Sequence, residues 1–385
     1  MNGQKNHEFI YGTINMHSGN SYTGFIRWGK EEIMWHDIFN SSKSGNKYIK
    51  SPQESKKSRW LDFDWNFSSL WEDKYRTTSH TFSCFYGDIK TLHIKSGSKV
   101  DLELKNGALI NLSGGSNDIG TRLHIFDYEI GDIPIKWSKI KSIDFKEAPE
   151  SEEFPLGKPL YGTVSTRRNT YTGYIKWDLD ERLGSDILDG DSHHGDQEIP
   201  FKNIKEIEKT NRGVLLTFNS GRTMELSGSN DVNSGNRGIA VFERGIGSIE
   251  INWQRFDKIS FKELPQVTMA YHEFETPVGI DADVYTFDDK VHSGLMVYDI
   301  DEIWEIEMLD GKDEGIEYQI PFRNIRTIIP KNSSYSLIHL KNGKELLLGG
   351  QQDVSRKNDG VLIYEKNVKE PIYIDWNNID QIIIK

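Results

Sequence analysis

The stretch TGYIKWDLDERLGSDILDG at residues 172–190 decides the fold, because close copies of it occur twice more in the chain. Residues 23–41 read TGFIRWGKEEIMWHDIFNS and residues 293–311 read SGLMVYDIDEIWEIEMLDG, and the three stretches align without a gap. A glycine, an aromatic residue and a glutamate fall at matching positions, which are Gly24, Gly173 and Gly294, then Trp28, Trp177 and Tyr298, then Glu32, Glu181 and Glu302. Such self-similarity indicates a repeat architecture.

A second shared segment follows each stretch. It opens with a strand–glycine–strand pattern, seen as LELKNGALINLSGG at 102–115, LLTFNSGRTMELSG at 215–228 and LIHLKNGKELLLGG at 337–350. It then passes through one aspartate and closes on one tryptophan, which are Asp118, Asp231 and Asp353, then Trp137, Trp253 and Trp376. We therefore predict three tandem copies of one unit, at 9–148, 159–263 and 278–385, with an insertion at 42–80 in the first copy.

Apolar and polar residues alternate with a period of two in these segments, which predicts an all-β fold. Asn106-Gly107 and Asn342-Gly343 are typical of two-residue hairpin turns. Both halves of a copy end alike, as PFKNIKEIEK at 200–209 and NWQRFDKISF at 252–261 show. A strand, one 3₁₀ turn and a last strand is how small five-stranded SH3-like or Sm-like barrels close, and this fold-level analogy predicts two small β-barrel modules in each copy. The alternative is a six-bladed β-propeller.

The chain has 385 residues, with 47 Lys and Arg against 59 Asp and Glu, and a formal net charge of −12. An acidic surface repels phosphate, so nucleic acid is not the expected partner. No apolar run is long enough to span a membrane. Cys84 is the single cysteine, which is typical of a reducing compartment. Residues 1–8 lack the apolar core of a signal peptide, so the cytoplasm is favoured unless a signal was removed.

The six repeated aromatic residues have two interpretations. Their ring faces can be stacking platforms for sugars, or their side chains can fill the core of each module. We expect the core role, because a core is rebuilt in every copy whereas a binding site is not. The three repeated aspartates likewise suggest either a cation site or, as we expect, a turn that the carboxylate stabilises by bonding to nearby backbone.

The acidic loops of the second and third copies are candidates for binding a divalent cation, because hard cations prefer carboxylate ligands. One loop also carries two adjacent histidines, which suits zinc or nickel. The candidate metal ligands are Asp189, Asp191, His193, His194 and Asp196. The ordered ligand spacing of a calcium hand is missing, so we expect solvated acidic loops and no cofactor.

The insertion at 42–80 breaks the symmetry of the three copies and concentrates Trp60, Trp65 and Trp71. An insertion is not needed by the common fold, and loops on a rigid scaffold commonly carry binding. We therefore predict a ligand-binding site there, with these tryptophans as contact residues. The alternative is that its alternating apolar residues cover a barrel or a sheet edge.

The sequence contains no nucleophile elbow and no phosphate-binding glycine loop ahead of a helix. We therefore expect a non-enzymatic binding or scaffolding protein whose partner is a protein or a glycan. The alternative is a hydrolase that uses acidic-loop carboxylates, with or without a divalent metal. A deep cleft with several acidic groups of shifted pKa would favour the hydrolase, and shallow faces would favour binding.

Overall fold

The computed structural model describes residues 7–29, 31–43, 49–50, 80–114, 118–127, 129–149, 156–265, 269–368 and 370–385. These residues form antiparallel strands joined by turns and contain no α-helix, so the all-β prediction is confirmed. The strands are β1 Tyr11–Met16, β2 Ser21–Trp28, β3 Ile38–Lys43, β4 Ile49–Lys50, β5 His80–Phe85, β6 Ile89–Ser96, β7 Lys99–Leu104, β8 Leu109–Ser113, β9 Leu123–Asp127, β10 Gly131–Ile135, β11 Ile140–Phe145, β12 Tyr161–Thr166, β13 Thr170–Trp177, β14 Ile187–Ser192, β15 Gly195–Pro200, β16 Ile204–Lys209, β17 Val214–Phe218, β18 Thr223–Leu226, β19 Ile239–Glu243, β20 Gly247–Ile251, β21 Phe256–Phe261, β22 Asp281–Thr286, β23 Val291–Tyr298, β24 Met308–Asp313, β25 Ile316–Pro321, β26 Ile325–Pro330, β27 Tyr335–Leu340, β28 Glu345–Gly349, β29 Val361–Glu365, β30 Ile372–Ile374 and β31 Ile379–Ile384. The 3₁₀ turns are Tyr86–Asp88, Trp137–Lys139, Phe201–Asn203, Asn230–Val232, Tyr271–Glu273, Phe322–Asn324 and Trp376–Asn378.

Strand pairings follow one order in three segments of the chain, 11–145, 161–261 and 281–384, called here the first, second and third segments. The first segment runs β10-β9-β2-β1-β11-β6-β7-β8-β3-β5. The third runs β30-β29-β23-β22-β31-β26-β27-β28-β24-β25. The second runs β20-β19-β13-β12-β21-β16-β17-β18, and its β14–β15 hairpin adjoins β18 through a single bridge.

The prediction of closed barrels was wrong. The strand order of the first segment contains two five-stranded sets, β10-β9-β2-β1-β11 and β6-β7-β8-β3-β5. To close each set into a barrel, its last strand, β11 or β6, would have to pair with the strand at the other end of the same set. However, β11 pairs with β1 on one edge and β6 on the other, while β6 pairs with β7 and β11. A strand has only two hydrogen-bonding edges, so both closing strands are used up in joining the two sets. The sets remain open, and the described pairings do not divide into the separate four-stranded blades of a propeller.

Close approach between two strands explains the repeated glycine. A Cβ atom on Gly173 of β13 would lie 1.8 Å from the carbonyl oxygen of Phe242 on β19. The corresponding distances are 2.0 Å from Gly24 to the Phe126 oxygen and 2.2 Å for Gly294. Any side chain there would push the paired strands apart, so only glycine fits.

The predicted two-residue hairpin turns were wrong. Gly107 has a φ of 86°, but Asn106 does not take positive φ, as the mirror-image turn would require of both residues. Instead, Asn106 Oδ1 accepts the Ala108 N–H at 2.9 Å, and the loop closes by a bond from Leu104 N to Ala108 O. The asparagine side chain thus stabilises a longer loop that still needs glycine at one left-handed position.

The three segments pack against one another. Strands β20 and β25 pair, so the second and third segments share a sheet. The first segment forms its own sheet, and within the described residues none of its strands pairs with a strand of the other two. It contacts its neighbours through side chains, for example Trp304 and Met308 in its main core and Tyr174 beside Phe9 and Phe25.

Candidate functional site

The six repeated aromatic residues lie in the core. Each is at most 8% exposed. In every segment the two rings meet edge to face, with centroid distances of 5.8 Å for Trp28–Trp137, 6.1 Å for Trp177–Trp253 and 5.9 Å for Tyr298–Trp376. Buried rings packed in this way offer no face to a sugar.

The three repeated aspartates each link two distant parts of their own segment. Their backbone oxygens accept a bond from the strand aromatic, Trp28 Nε1 at 2.8 Å, Trp177 Nε1 at 3.1 Å and Tyr298 OH at 2.5 Å. The carboxylates of Asp118, Asp231 and Asp353 accept the backbone N–H groups of Asn40, Asp189 and Asp310 at 2.6, 2.9 and 2.6 Å. These bonds reach a strand earlier in the segment, and the expected bond to nearby backbone in the turn stays a prediction.

A further acidic position recurs five residues after the repeated glutamate, at Asp37, Asp186 and Glu307. Each of these carboxylates accepts two backbone N–H groups, from the residues three and four positions earlier, at 2.7–2.9 Å. The bonds fold the loop that leads from β2 to β3 and its counterparts. The aligned stretches carry an acid at this position in all three copies, and this recurrence is the signal from which these residues could be predicted.

Two of these loops bind a cation from another segment. Arg182 of the second segment donates to both oxygens of Asp37 at 2.7 and 2.8 Å and also to the Glu31 carbonyl. Burial alone would raise the pKa of Asp37, but Arg182 and Lys176 outweigh it and lower that pKa to about 2. The bidentate pair therefore holds Asp37 ionised in a buried position.

Lys43 of β3, in the first segment, binds the corresponding loop of the third segment. Its Nζ donates to the Asp301 carbonyl at 3.0 Å and Asp301 Oδ1 at 3.1 Å, and it pairs with Glu307. Burial lowers the pKa of Lys43, but Asp301 and Glu307 overcome this effect and raise it above its usual value. Lys43 therefore remains charged at the junction of the third and first segments.

An acidic cleft opens beside Lys43, between the third segment and β5 of the first. It encloses about 190 Å³, and six of the residues that line it are Asp299, Asp301, Glu302, Glu307, Asp310 and Asp353. Glu302 is 8% exposed, and its Oε2 is buried with no hydrogen-bond partner in the part of the chain that the structure describes. Thr81 and Ser83 form the opposite wall. We call this cavity the acidic cleft.

The loop that follows β23 forms one side of the acidic cleft. Asp299 and Ile300 have φ values of 48° and 57°, in the left-handed region, and Tyr298 N then bonds back to Glu302 O at 2.9 Å. Left-handed non-glycine residues need support from outside the turn. Asp299 has that support, because its carboxylate accepts the Asp359 N–H.

Burial shifts the titration of the acidic cleft toward neutral pH. It raises the pKa of Asp310 to about 6, of Asp353 to about 7 and of Asp299 to about 8. Neighbouring carboxylates add to the effect at Asp353 and Asp299. Burial, together with the charges of Asp301, Asp353 and Asp299, raises the pKa of Glu302 well above its usual value. The acidic cleft therefore exchanges protons in the neutral range.

The predicted metal ligands do not form a metal centre. They lie on the exposed β14–β15 hairpin, where Asp191 pairs with Asp196 across the strands and the His193 and His194 rings lie 3.6 Å apart. Asp189 instead supplies its N–H to Asp231. Within the described ranges, no three His, Cys, Asp or Glu side chains are grouped so that they could hold one ion.

Trp60, Trp65 and Trp71 lie outside the described residues, so the binding site predicted on the insertion stays a prediction. The strands that flank the insertion are nevertheless placed. Lys43 pairs with His80, and Thr81 lines the acidic cleft. The insertion therefore leaves and rejoins the sheet next to the acidic cleft.

No family model matches the chain, and no curated protein matches it. Among solved structures, a streptogramin B lyase structure is 13% identical, and the match covers 78% of this chain and 94% of that one. The TM-score of 0.12 is too low to indicate a shared fold. In the part of the chain that the structure describes, no helix has the length and apolarity to cross a membrane.

Proposed function

We propose that this chain is a non-enzymatic binding protein of three tandem repeats whose acidic cleft binds a cationic group of its partner. The repeats have the bounds 9–148, 159–263 and 278–385, and each consists of two open five-stranded modules with the strand order of SH3-like folds. The common order of strand pairings, the aspartate bonds and the edge-to-face aromatic pairs support this division.

The observation that carries the binding function is the buried Oε2 of Glu302, which has no hydrogen-bond partner among the described residues and lies in a cavity lined by six acidic side chains. A buried carboxylate without a donor is costly to the fold, so a site of this kind is completed by a ligand that donates hydrogen bonds. The acidic cleft is smaller than the ligand pockets of about 300–1,000 Å³ typical of small-molecule sites. A single charged group of a larger partner suits it better than a whole metabolite.

The test is a binding screen of the full chain against immobilised basic, neutral and acidic peptides and against glycans. The same screen is run with Glu302→Gln and with Glu345→Gln, a control at an exposed acid of the third segment outside the acidic cleft. We expect a ligand with a positive charge whose binding is lost in Glu302→Gln and kept in Glu345→Gln. If every ligand that binds does so equally to both variants, the acidic cleft is not the binding site.

A hydrolase is the second candidate. The acidic cleft has the feature expected from the sequence for this class, several acids with shifted pKa values, and its small volume of about 190 Å³ is what ranks the binding of one charged group first. Asp310, Asp353 and Asp299 have pKa values of about 6, 7 and 8 in one cavity, and carboxyl groups with separated, near-neutral pKa values can divide the acid and base roles. The assay is hydrolysis of nitrophenyl esters, glycosides and phosphodiesters with and without divalent metal. Turnover that Asp353→Asn removes and the matched Asp231→Asn retains would replace the binding proposal with this one.

A further inference from the structure

We infer that the group bound in the acidic cleft is a primary ammonium, presented by a lysine side chain of a partner protein. This inference rests on the binding function proposed above and names the chemistry of its ligand. It follows from the unpartnered glutamate, the placement of the remaining acceptors, the ammonium already bound at the cleft wall, and the volume of the cleft.

Glu302 offers an unused acceptor to the acidic cleft. Its side chain is 8% exposed and lines the acidic cleft, and its Oε2 accepts no hydrogen bond from the described residues. The charge of Lys43 acts on Glu302, but the Lys43 ammonium donates to Asp301 and pairs with Glu307. A ligand that brings a donor therefore finds an acceptor at Glu302.

The shape of the acceptor set also bears on the ligand. Asp353 binds the Asp310 N–H through Oδ2, and Asp299 binds the Asp359 N–H through Oδ1. These bonds hold the two carboxylates in place, and the six acids that line the acidic cleft belong to separate residues. An ammonium has three diverging N–H groups that suit such a set, whereas a guanidinium prefers both oxygens of one carboxylate.

The chain itself contains both arrangements. Arg182 takes the two oxygens of Asp37 at 2.7 and 2.8 Å, as a guanidinium does. At the acidic cleft the internal cation is instead Lys43, held by the Asp301 carbonyl at 3.0 Å, by Asp301 Oδ1 at 3.1 Å and by Glu307. The wall of the acidic cleft is therefore already built to hold an ammonium.

The volume of the acidic cleft and the placement of its acids exclude bulkier cations and bare metal ions. A cavity of about 190 Å³ accepts a slender alkylammonium chain but is small for a sugar ring with its substituents. A bare divalent ion needs several carboxylates converging at about 2.3 Å, and no described group of three acidic side chains is placed to hold one. A lysine side chain meets both conditions.

The groups facing the bound ammonium come from β3, from β5, from β24 with the loop before it, and from the loop after β28. Lys43 extends from β3 and bears the one positive charge among these groups, Thr81 and Ser83 on β5 are neutral, and the acids belong to the loops around β24 and β28. Because the acids titrate near neutral pH, an ammonium that binds them displaces protons. Binding should therefore strengthen as the pH rises from about 5 to about 8.

The experiment is calorimetric titration of the full chain with four probes. These are a tripeptide with a central lysine, the same peptide acetylated at the lysine Nε, glucosamine and calcium chloride. We expect the lysine peptide to bind at least about tenfold more tightly than its acetylated form, because acetylation removes one charge-assisted contact. We expect Glu302→Gln to weaken the lysine peptide by about 10–100-fold and Glu345→Gln, at an exposed acid outside the acidic cleft, to change it by less than about twofold.

Equal binding of the two peptides to the wild-type chain overturns the inference, and this comparison needs no variant that might fail to fold. Preferred binding of glucosamine or of calcium, lost in Glu302→Gln, also overturns it but leaves the acidic cleft as a binding site. If no probe responds to Glu302→Gln while melting temperatures show both variants folded, the inference and the proposed function both fail.

Discussion

Replacing Arg182 by isoleucine tests how the first segment is attached to the second. Isoleucine is the residue at the corresponding positions 33 and 303, so the backbone of this loop accepts it. Arg182 and Asp37 are 5% and 7% exposed, and the substitution leaves the Asp37 carboxylate buried with only its two backbone N–H donors. We expect Arg182→Ile to lower the free energy of unfolding.

The magnitude follows from the titration of Asp37. Its pKa falls from 3.8 to about 2 in the folded chain, which corresponds to about 2 kcal/mol. Removing the cation also leaves an unpaired buried charge, and breaking a buried ion pair from one side costs about 3–5 kcal/mol. We therefore expect a loss of about 3–5 kcal/mol, part of it recovered when Asp37→Asn is added.

Urea denaturation followed by tryptophan fluorescence measures this loss in the single and double variants. The folded-state pKa of Asp37 lies below the unfolded value, so its stabilisation is complete above about pH 4 and is lost as the pH falls through about 2. The difference between wild type and Arg182→Ile should accordingly shrink in acid. A loss below about 1 kcal/mol at neutral pH, unchanged by Asp37→Asn, would refute the reasoning.

Four other outcomes are expected. Trp253→Ala should cost about 3–5 kcal/mol in chemical denaturation, and a loss under about 1 kcal/mol would instead indicate an exposed stacking ring. Gly173→Ala should cost about 1–3 kcal/mol or more, because its Cβ would meet the Phe242 oxygen, whereas alanine should cost less at Gly97, which has nothing within 4 Å of its Cβ position and no left-handed φ. His36 is buried against Phe242, and burial lowers its pKa to about 3. As the pH falls below about 6.5 the unfolded chain therefore binds a proton at this position before the folded chain does, and stability decreases. His36→Phe should reduce this decrease in melting temperature at low pH. Deleting 52–78 should keep the fold and the acidic cleft; loss of a partner in the folded variant would support the separate site predicted on the insertion, and a collapsed first segment would show that the insertion is structural.

The strands could be predicted from the sequence because their signals are local. Period-two alternation and the aligned stretches locate β13, β23 and their neighbours without any knowledge of what lies beside them. The 3₁₀ turns at Phe201–Asn203 and Phe322–Asn324 likewise follow from a short repeated motif. Such features depend on residues a few positions apart, so they can be predicted from a single sequence.

The open modules and the acidic cleft depend instead on distant partners. Ile207 of β16 and Ile259 of β21 pair, and this pairing occupies the strand edges that barrel closure would require. No residue near either position indicates the pairing in the sequence. The sequence predicted an acidic loop in the third segment. It could not predict Lys43, the cation bound beside the acidic cleft, because Lys43 lies 258 residues from Asp301 in the chain. A lone lysine at the end of a strand has no pattern that points to such a partner.

The pairing of β20 with β25 makes the three junctions of the molecule unequal. The backbone amides that join β20 to β25 are hydrogen-bonded across the junction of the second and third segments. Their hydrogens should exchange with solvent only when these two segments separate. The first segment is attached by side-chain contacts such as Arg182 with Asp37 and Lys43 with Glu307. It can therefore separate from the pair without breaking a backbone ladder, and the outer amides of β10 and β5 should exchange earliest. Partial unfolding would then begin at the junction that also forms the acidic cleft, so occupancy of that cleft would set how often the chain opens.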